Sequence, residues 1–434
     1  MKNNRWTMKR KLSRQICAEW RSNIWLFVEL LVVSLVLWWI NDYFYAVRQI
    51  RVEPYGFDTR GVYKLSYAFD YSKQDGLTDS VAQAQVDAVM ARLRAEPAIS
   101  SAALSCGITP HNYNFQGSPL FLASDSGLCV GIPGHGLPRC GIDGRGDICQ
   151  TLGITGANGE TPAELDRILA GGKALITSNV RLYNTGGGDV PPEKAVDASN
   201  VVGKVFNVNA FGGAPVMVGG VILPQKRATY ESAADMVCIL LPQNFYFGLW
   251  GDILVRVKDD YPGDFAADLR QRLARDYSLE YMYITDVEDM EEIRAFNDRD
   301  MDQQERLYMA MCVFLMVNVF LGLLGSFWFR TQQRASEIAI RMVSGASPRH
   351  IIARVLAEPL LLLLATVPFA AAVVWLLRGA EEFVTQQVEL DVLHAVGVVG
   401  AVTYAEMALM VVLGVLFPAV KAMRMRPAAV LQEE

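Results

Sequence analysis

The 434-residue chain has few of the side chains that do most enzymatic chemistry. It contains only four histidines, and no HExxH, GxSxG or closely spaced His/Asp/Glu ligand set. A GxxxxGK(S/T) phosphate loop is also missing. Gly171-Gly172-Lys173 runs into Ala174 with no glycine at the required earlier position, and Gly186-Gly187-Gly188 opens no helix. Charged residues make up 20% of the chain, against about 25% in an ordinary soluble domain. The net charge of −6 leaves no basic face for a nucleic acid. These shortages predict a chain that is not an enzyme and holds no cofactor or metal of its own. A hydrophobic content of 52% excludes disorder, a collagen-like repeat and a small disulfide scaffold.

The apolar residues are concentrated in four blocks. Ile24–Ile40, extending to Tyr45, is interrupted only by Glu29 and Ser34; Leu307–Phe329, Pro359–Leu377 and Val396–Phe417 follow. Crossing a hydrocarbon core of about 30 Å takes roughly 20 such residues, so four membrane spans are predicted. Lys and Arg set the orientation. They crowd the segment before the first span, the loop Arg330–Arg354 and the tail Lys421–Arg426, while Glu381, Glu382, Glu389 and Asp391 dominate the short third loop. Both termini and the 330–358 loop are therefore expected in the cytoplasm. Residues 46–300 fall outside, and with them the chain is expected in a cytoplasmic (inner) membrane among lipids.

The first span reads as an uncleaved anchor, because Asn41, Asp42, Tyr43 and Phe44 offer no small-x-small cleavage site. Ahead of it, within residues 1–23, Met8, Leu12, Ile16 and Trp20 recur every fourth residue among basic neighbours. That spacing makes an amphipathic helix suited to a headgroup layer.

The outside segment contains two strand–helix–strand stretches. In one, Val62–Phe69 precedes a helix over Thr78–Ala95 and a return strand Ile99–Leu104, with Val81, Val86, Val89, Met90 and Leu93 on one helical face. In the other, Asp252–Val257 precedes Phe265–Tyr277, whose Phe265, Leu269, Leu273 and Tyr277 align, and then Glu280–Thr285. They predict two α/β halves, about 46–104 and 165–300. The fold class expected is an α-helical membrane protein of four spans with a large α/β extracytoplasmic domain between spans one and two.

A Gly- and Pro-rich insert, 105–164, separates the halves and holds Cys106, Cys129, Cys140 and Cys149. Outside a membrane, an even set of four suggests two disulfides, with three connectivities open. A zinc site drawing on His111 and His135 is the alternative, but the close CxxC pairs of a structural site are missing. Beyond Asp286 the charged stretch reads as a helix running without a breaker into span two, so that it stands clear of the bilayer as a stalk, with the stalk end and span at 301–329.

The cytoplasmic loop is the most informative local feature. Ala335, Ile338, Met342 and Val343 share a helical face, Gly345 is placed to end that helix, Ser347 to cap the next and Pro348 to open it. The run Glu337-Ile338-Ala339-Ile340-Arg341-Met342-Val343-Ser344-Gly345-Ala346-Ser347-Pro348 resembles the signature loop of the FtsX/MacB-like ABC-transporter permeases. The tail around Pro418, Lys421, Arg426 and Pro427 is similar to the same family. So are Gly56-Phe57-Asp58, Leu93–Ile99, Lys173–Asn179 and Val202-Gly203-Lys204 to its MacB-like periplasmic domain.

The resemblance implies a permease subunit in which Glu337, Arg341, Gly345, Ala346, Ser347 and Pro348 couple to an ABC ATPase. ATP and magnesium would be bound by that partner, not by this chain. It further implies a second permease chain, identical or different, and allows a periplasmic adaptor or an outer-membrane protein. ATP-driven movement of the outside domains would then export or extract a peptide, drug, amphiphile or lipoprotein. Regulation of an extracytoplasmic enzyme, as in cell-division members, and a sensor or scaffold without ATPase are the alternatives.

Ionisable and amide groups inside spans are functional candidates by default. Glu29, Asn318 and Glu406 are the ones here, with Asn318 a candidate partner for Glu406. The remaining boundaries are 24–45 for span one, 359–377 and 396–417 for spans three and four, 378–395 for the short outer loop and 418–434 for the tail.

Overall fold

A computed structural model describes residues 20–105, 110–111, 120–130, 144–184, 190, 194, 196–208, 214–226, 228–233, 239–241, 251–333, 340, 343–345, 347–378 and 392–424. Along the chain, α1 (Trp20–Val52) leads to β1 (Val62–Phe69), α2 (Asp79–Ala95) and β2 (Ile99–Ser105). Next come β3 (Leu120–Leu122), β4 (Asp125–Val130), β5 (Gly144–Gly146), α3 (Ile148–Leu152) and α4 (Pro162–Ala170). β6 (Ala174–Thr177), β7 (Leu182–Asn184), β8 (Val205–Val208), β9 (Ala214–Ile222) and β10 (Ile239–Leu240) follow. β11 (Asp252–Val257), α5 (Phe265–Asp276) and β12 (Met282–Asp289) lead to the long helices α6 (Met290–Gln333), α7 (Pro348–Arg378) and α8 (Val392–Arg424). The chain divides into a sheet unit, Ile50–Asp302, and a helical unit made of Met1–Gln49 and Gln303–Glu434.

The sheet unit holds two sheets. The first has the order β12-β1-β11-β2-β5, and all its pairs are antiparallel. Its register sets Val62 opposite Arg256 and Asp252 opposite Ser105. This corrects the expected division into two α/β halves. The two strand–helix–strand stretches interleave in one sheet, β1 lying between β12 and β11, as in a split βαβ arrangement. The reason lies in burial on both faces. Ile253, Val255 and Val257 pack with α2 and α5, whereas Leu254 joins Ile148, Leu152 and Leu165 of α3 and α4 on the other face. Neither stretch alone could cover both.

The helices follow the predicted stripes closely. α2 buries Ala82, Val86, Val89, Met90 and Leu93, and Thr78 caps it by accepting from the Val81 amide. α5 buries Phe265, Ala266 and Leu269, with Tyr277 beneath its last turn. Val81 is only half-buried, displaced from the core by Ala82.

The second sheet, β10-β6-β9-β8-β3-β4-β7, is inserted between β2 and β11 and contains one parallel pair, β6 with β9. It takes β3 and β4 from the predicted insert. Leu120, Leu128, Val130, Ile176, Phe206 and Val218 form its own core.

Among the described residues, four helices are long and apolar enough to cross a membrane: Ile24–Val52, Met290–Ser326, His350–Leu377 and Val396–Leu416. Within the helical unit, α1, α7 and α8 share a core of Leu26, Leu30, Leu37, Leu363, Met407 and Val411. A second layer joins Trp38, Ala370, Val374 and Val399. In α6, by contrast, Leu307, Phe314 and Leu321 are exposed.

Candidate functional site

Among the described residues, several places collect polar side chains or backbone of special geometry, and three of them bear on the sequence-predicted sites or on the ends of the long helices. The first is the turn into α7. Gly345 has φ +83°, a conformation that suits glycine, and the Ser344 amide bonds back to Ile340 O at 2.9 Å. Ser347 O then accepts from the Ile351 amide at 3.2 Å, which makes Ser347 the residue before the first helical turn and Pro348 the first within it. These are the backbone roles expected from the sequence. Glu337, Arg341 and Ala346 lie outside the described residues.

The second is inside the helical bundle. Asn41 Nδ2 donates to Glu406 Oε2 at 2.9 Å and to Thr403 Oγ1 at 3.0 Å, tying α1 to α8. Asn318 donates to Phe314 O on its own helix, so Glu406 is held by Asn41 and not by Asn318. Glu29 sits where a Cβ added at Gly322 would come within 3.5 Å of its Oε1.

The third lies in the sheet unit, among residues 50–60, 224–233 and 291–302. His111 is 2% exposed, at φ 62°, with its ring edge-on to Tyr55 and Phe57. Thr59 Oγ1 donates its one proton to Glu291 Oε1 at 2.8 Å, so at 3.1 Å it accepts from His111 Nε2. This network assigns the neutral Nε2–H tautomer and leaves Nδ1 without a hydrogen-bond partner among the described residues. Protonation would add a second buried N–H at that position. Burial, helped by the positive charges of Arg294 and Lys226, accordingly pushes the imidazole down to about 4.

Lys226 is fully buried. Its ammonium donates to the carbonyl of Ile50, one of the last carbonyls of α1, and lies 4.9 Å from the centre of the Tyr55 ring. The end of a helix attracts a cation, which offsets part of the cost of burying this one. Burial pulls its pKa below the ordinary lysine value, against the fields of Glu53 and Asp298, which raise it. Close approach is possible because residue 56 is glycine, at φ +76°. A Cβ there would sit 2.3 Å from Pro224 O.

The segment around Lys226 makes further contacts on both sides. Glu53 accepts from Ser232 Oγ at 3.0 Å and from the Ala233 amide at 2.9 Å. Thr229 Oγ1 donates to Asp298 and also meets Tyr55 Oη at 2.9 Å. Tyr230 donates to Asp302, and Arg51 bridges both, at 2.8 Å to the tyrosine oxygen and 2.9 Å to the carboxylate. Nearby, Arg256 of β11 donates to three carbonyls: Thr151 at 2.9 Å, Arg60 at 3.1 Å and Asp58 at 2.6 Å. The Arg60 guanidinium in turn holds the Asp58 carboxyl below its usual range.

Sequence reasoning missed this third cluster, apart from His111 as a zinc candidate. A signal was present: a lysine following a nine-residue apolar strand, and Asp298 and Asp302 one turn apart. Of the four insert cysteines, Cys129 and Cys149 are free thiols, and Cys106 and Cys140 lie outside the described residues. Cys149 is packed in the core beside Asp166, whose carboxylate accepts from the Cys149 and Gln150 amides. Burial and that carboxylate raise its thiol pKa far beyond the reactive range.

Against known proteins, the sequence model of the FtsX-like permease C-terminal domain matches residues 309–427. The chain carries an FtsX-like permease domain. Its boundaries take in most of α6, the Gly345 turn, and α7 and α8. No curated protein matches this chain. Among solved structures, the periplasmic region of MacB from Actinobacillus actinomycetemcomitans is 12% identical, at a TM-score of 0.29, covering 59% of this chain and 98% of that one. A domain of a candidate permease protein from Porphyromonas gingivalis is 14% identical, at a TM-score of 0.28, covering 53% and 92%.

Proposed function

We propose that this chain is the permease subunit of an ABC transporter, in which a partner ATPase drives movement of the sheet unit. The observation that carries the reading is the FtsX-like permease match over 309–427, which contains a helix–turn–helix break built on Gly345 and Pro348. Four helices of spanning length support a multi-pass protein of the cytoplasmic membrane. The distribution of Lys and Arg supports a reading with both termini and the 330–358 loop on the cytoplasmic side and residues 46–300 outside.

In this reading two permease chains, identical or different, dock on two ATPase subunits that bind ATP and magnesium. Closure of the ATPases pushes on the 330–358 loop. A rigid turn passes a push on better than a floppy connector does, which is what the left-handed Gly345 and the helix start at Pro348 supply. α6 runs from Met290 to Gln333 as one helix, and in this reading it is the element that carries the movement. The work is done on a substrate outside the membrane, an envelope peptide, drug, amphiphile or lipoprotein.

The test is purification of the tagged chain from its native membrane in mild detergent, with mass spectrometry of what accompanies it. A stoichiometric ATPase with a phosphate loop is expected. Arg341→Glu and Gly345→Val should weaken its retention, or break the link between ATP hydrolysis and transport, while the permease still accumulates. No ATPase under conditions that preserve other membrane complexes would refute the reading and favour a sensor or scaffold.

A further inference from the structure

Residues 225–226 and 228–233 touch the two helical segments that bound the sheet unit, and they do so through different groups. On the α1 side, Lys226 bonds Ile50 O, while Ser232 and the Ala233 amide bond Glu53. On the α6 side, Thr229 bonds Asp298 and Tyr230 bonds Asp302. Arg51 closes the circuit between the sides, through Tyr230 and Asp302, with its guanidinium 5.0 Å from the centre of the Tyr230 ring. The backbone holds the segment in place, since the Lys226 amide donates to Tyr55 O at 2.9 Å.

The chemistry of the anchors separates this arrangement from ordinary surface packing. A lysine with no exposed surface is costly to keep, and an apolar side chain of similar length would fill the same space. What the ammonium adds is a directed bond to a helix-end carbonyl, with Glu53 and Asp298, one from each side, acting on its charge. Asp298 and Asp302 are one turn apart on α6, so Thr229 and Tyr230 grip one helical face at two levels.

We propose that Lys226, Thr229, Tyr230, Ser232 and Ala233 form a clasp that makes the end of α1 and the first turns of α6 move as one body, tied to the second sheet through β9. The clasp itself rests on this geometry. Its use in transport rests on the permease reading, in which both helices would have to shift together for a push at the membrane to reach the sheets.

Hydrogen exchange on the full-length chain in detergent, without nucleotide or ATPase, tests the clasp apart from the transporter reading. Lys226→Met removes the charged anchor on the α1 side and leaves the Glu53 bonds in place, and Tyr230→Phe removes one oxygen on the α6 side. The expected result is that each variant speeds exchange at both 50–55 and 296–302 by about tenfold or more, the loss of a buried charge-assisted bond being of that order. β11 should keep its protection. The double variant should add little to either single one, because one unit is already open. The proposal is overturned if Lys226→Met loosens only 50–55 and Tyr230→Phe only 296–302, or if neither changes. Should Lys226→Met fail to fold, Tyr230→Phe decides alone, since it leaves the ring over Arg51 in place.

Discussion

Replacing His111 with asparagine should flatten the acid side of the pH–stability curve of the sheet unit. Asparagine tolerates the left-handed φ of 62° and does not titrate. The folded protein holds His111 at about 4, against an ordinary value of 6.5. Between those two values the unfolded chain binds more protons than the folded one. The stability associated with a neutral His111 is therefore fully present above pH 6.5 and is lost as pH falls towards 4. At about 1.4 kcal/mol per unit, the shift is worth about 3 kcal/mol across the window. For a unit of this size that corresponds to roughly 6–12 °C in Tm.

Differential scanning calorimetry of the full chain in detergent, at several pH values from about 4 to 7, gives the measurement. The His111→Asn variant would lose the Thr59 bond and the ring contacts, so it starts lower at every pH. What matters is the slope. Asp166 titrates with the opposite sign, because burial raises its pKa and stability falls as pH rises through it, but it is common to both proteins and cancels in the comparison. Parallel Tm–pH curves for wild type and His111→Asn would refute the argument, and with it the assignment of an unpartnered Nδ1.

Two further substitutions have outcomes set by geometry. Arg256→Lys keeps the charge but can bond only some of the three carbonyls, so it should lower the stability of the sheet unit by about 2–4 kcal/mol; a Tm equal to wild type would show that the three bonds do not hold the Asp58–Arg60 segment to α3. Gly400→Val should cost about 1–3 kcal/mol, because a Cβ at Gly400 comes within 2.8 Å of the Trp38 ring. Gly397→Val on the same helix, where nothing lies within 4 Å, is the control, and equal losses of monodisperse protein on heating would count against the Trp38 contact.

Much of this architecture could be read from the sequence because it repeats locally. The stripe Val86, Val89, Met90 and Leu93 acts within a few residues along one helix, and the structure buries it as expected. The Gly345-Ala346-Ser347-Pro348 break was legible for the same reason, since a left-handed end and a proline start are local backbone requirements. The pairing of strands was not. Whether Asp252–Val257 forms its own half-domain or slides in beside Val62–Phe69 depends on which faces the long intervening segment leaves uncovered, and no short window of sequence contains that information. The Glu406 partner shows the same limit: Asn318 and Asn41 are equally polar by composition, and only the packing of α1 on α8 brings Asn41 within 2.9 Å.

The polar cluster on Lys226 was the hardest to foresee, and the reason is instructive. Its bonds join residues far apart in the chain, 69 positions for Thr229 with Asp298 and 180 for Ala233 with Glu53. Each residue taken alone has an ordinary explanation: a charged turn after a strand, a solvated helix face, a tyrosine near a membrane surface. What distinguishes them is that Lys226 loses all contact with water while Asp298 and Glu53, from opposite ends of the unit, stay close enough to act on it. Burial of a charge is costly only once the chain has folded, so a sequence cannot register it. A lysine that remains fully buried and bonded to a helix end, within the field of two carboxylates, marks a place where the position of one segment relative to another is held by directed bonds, which an apolar contact of equal area would leave free to slide.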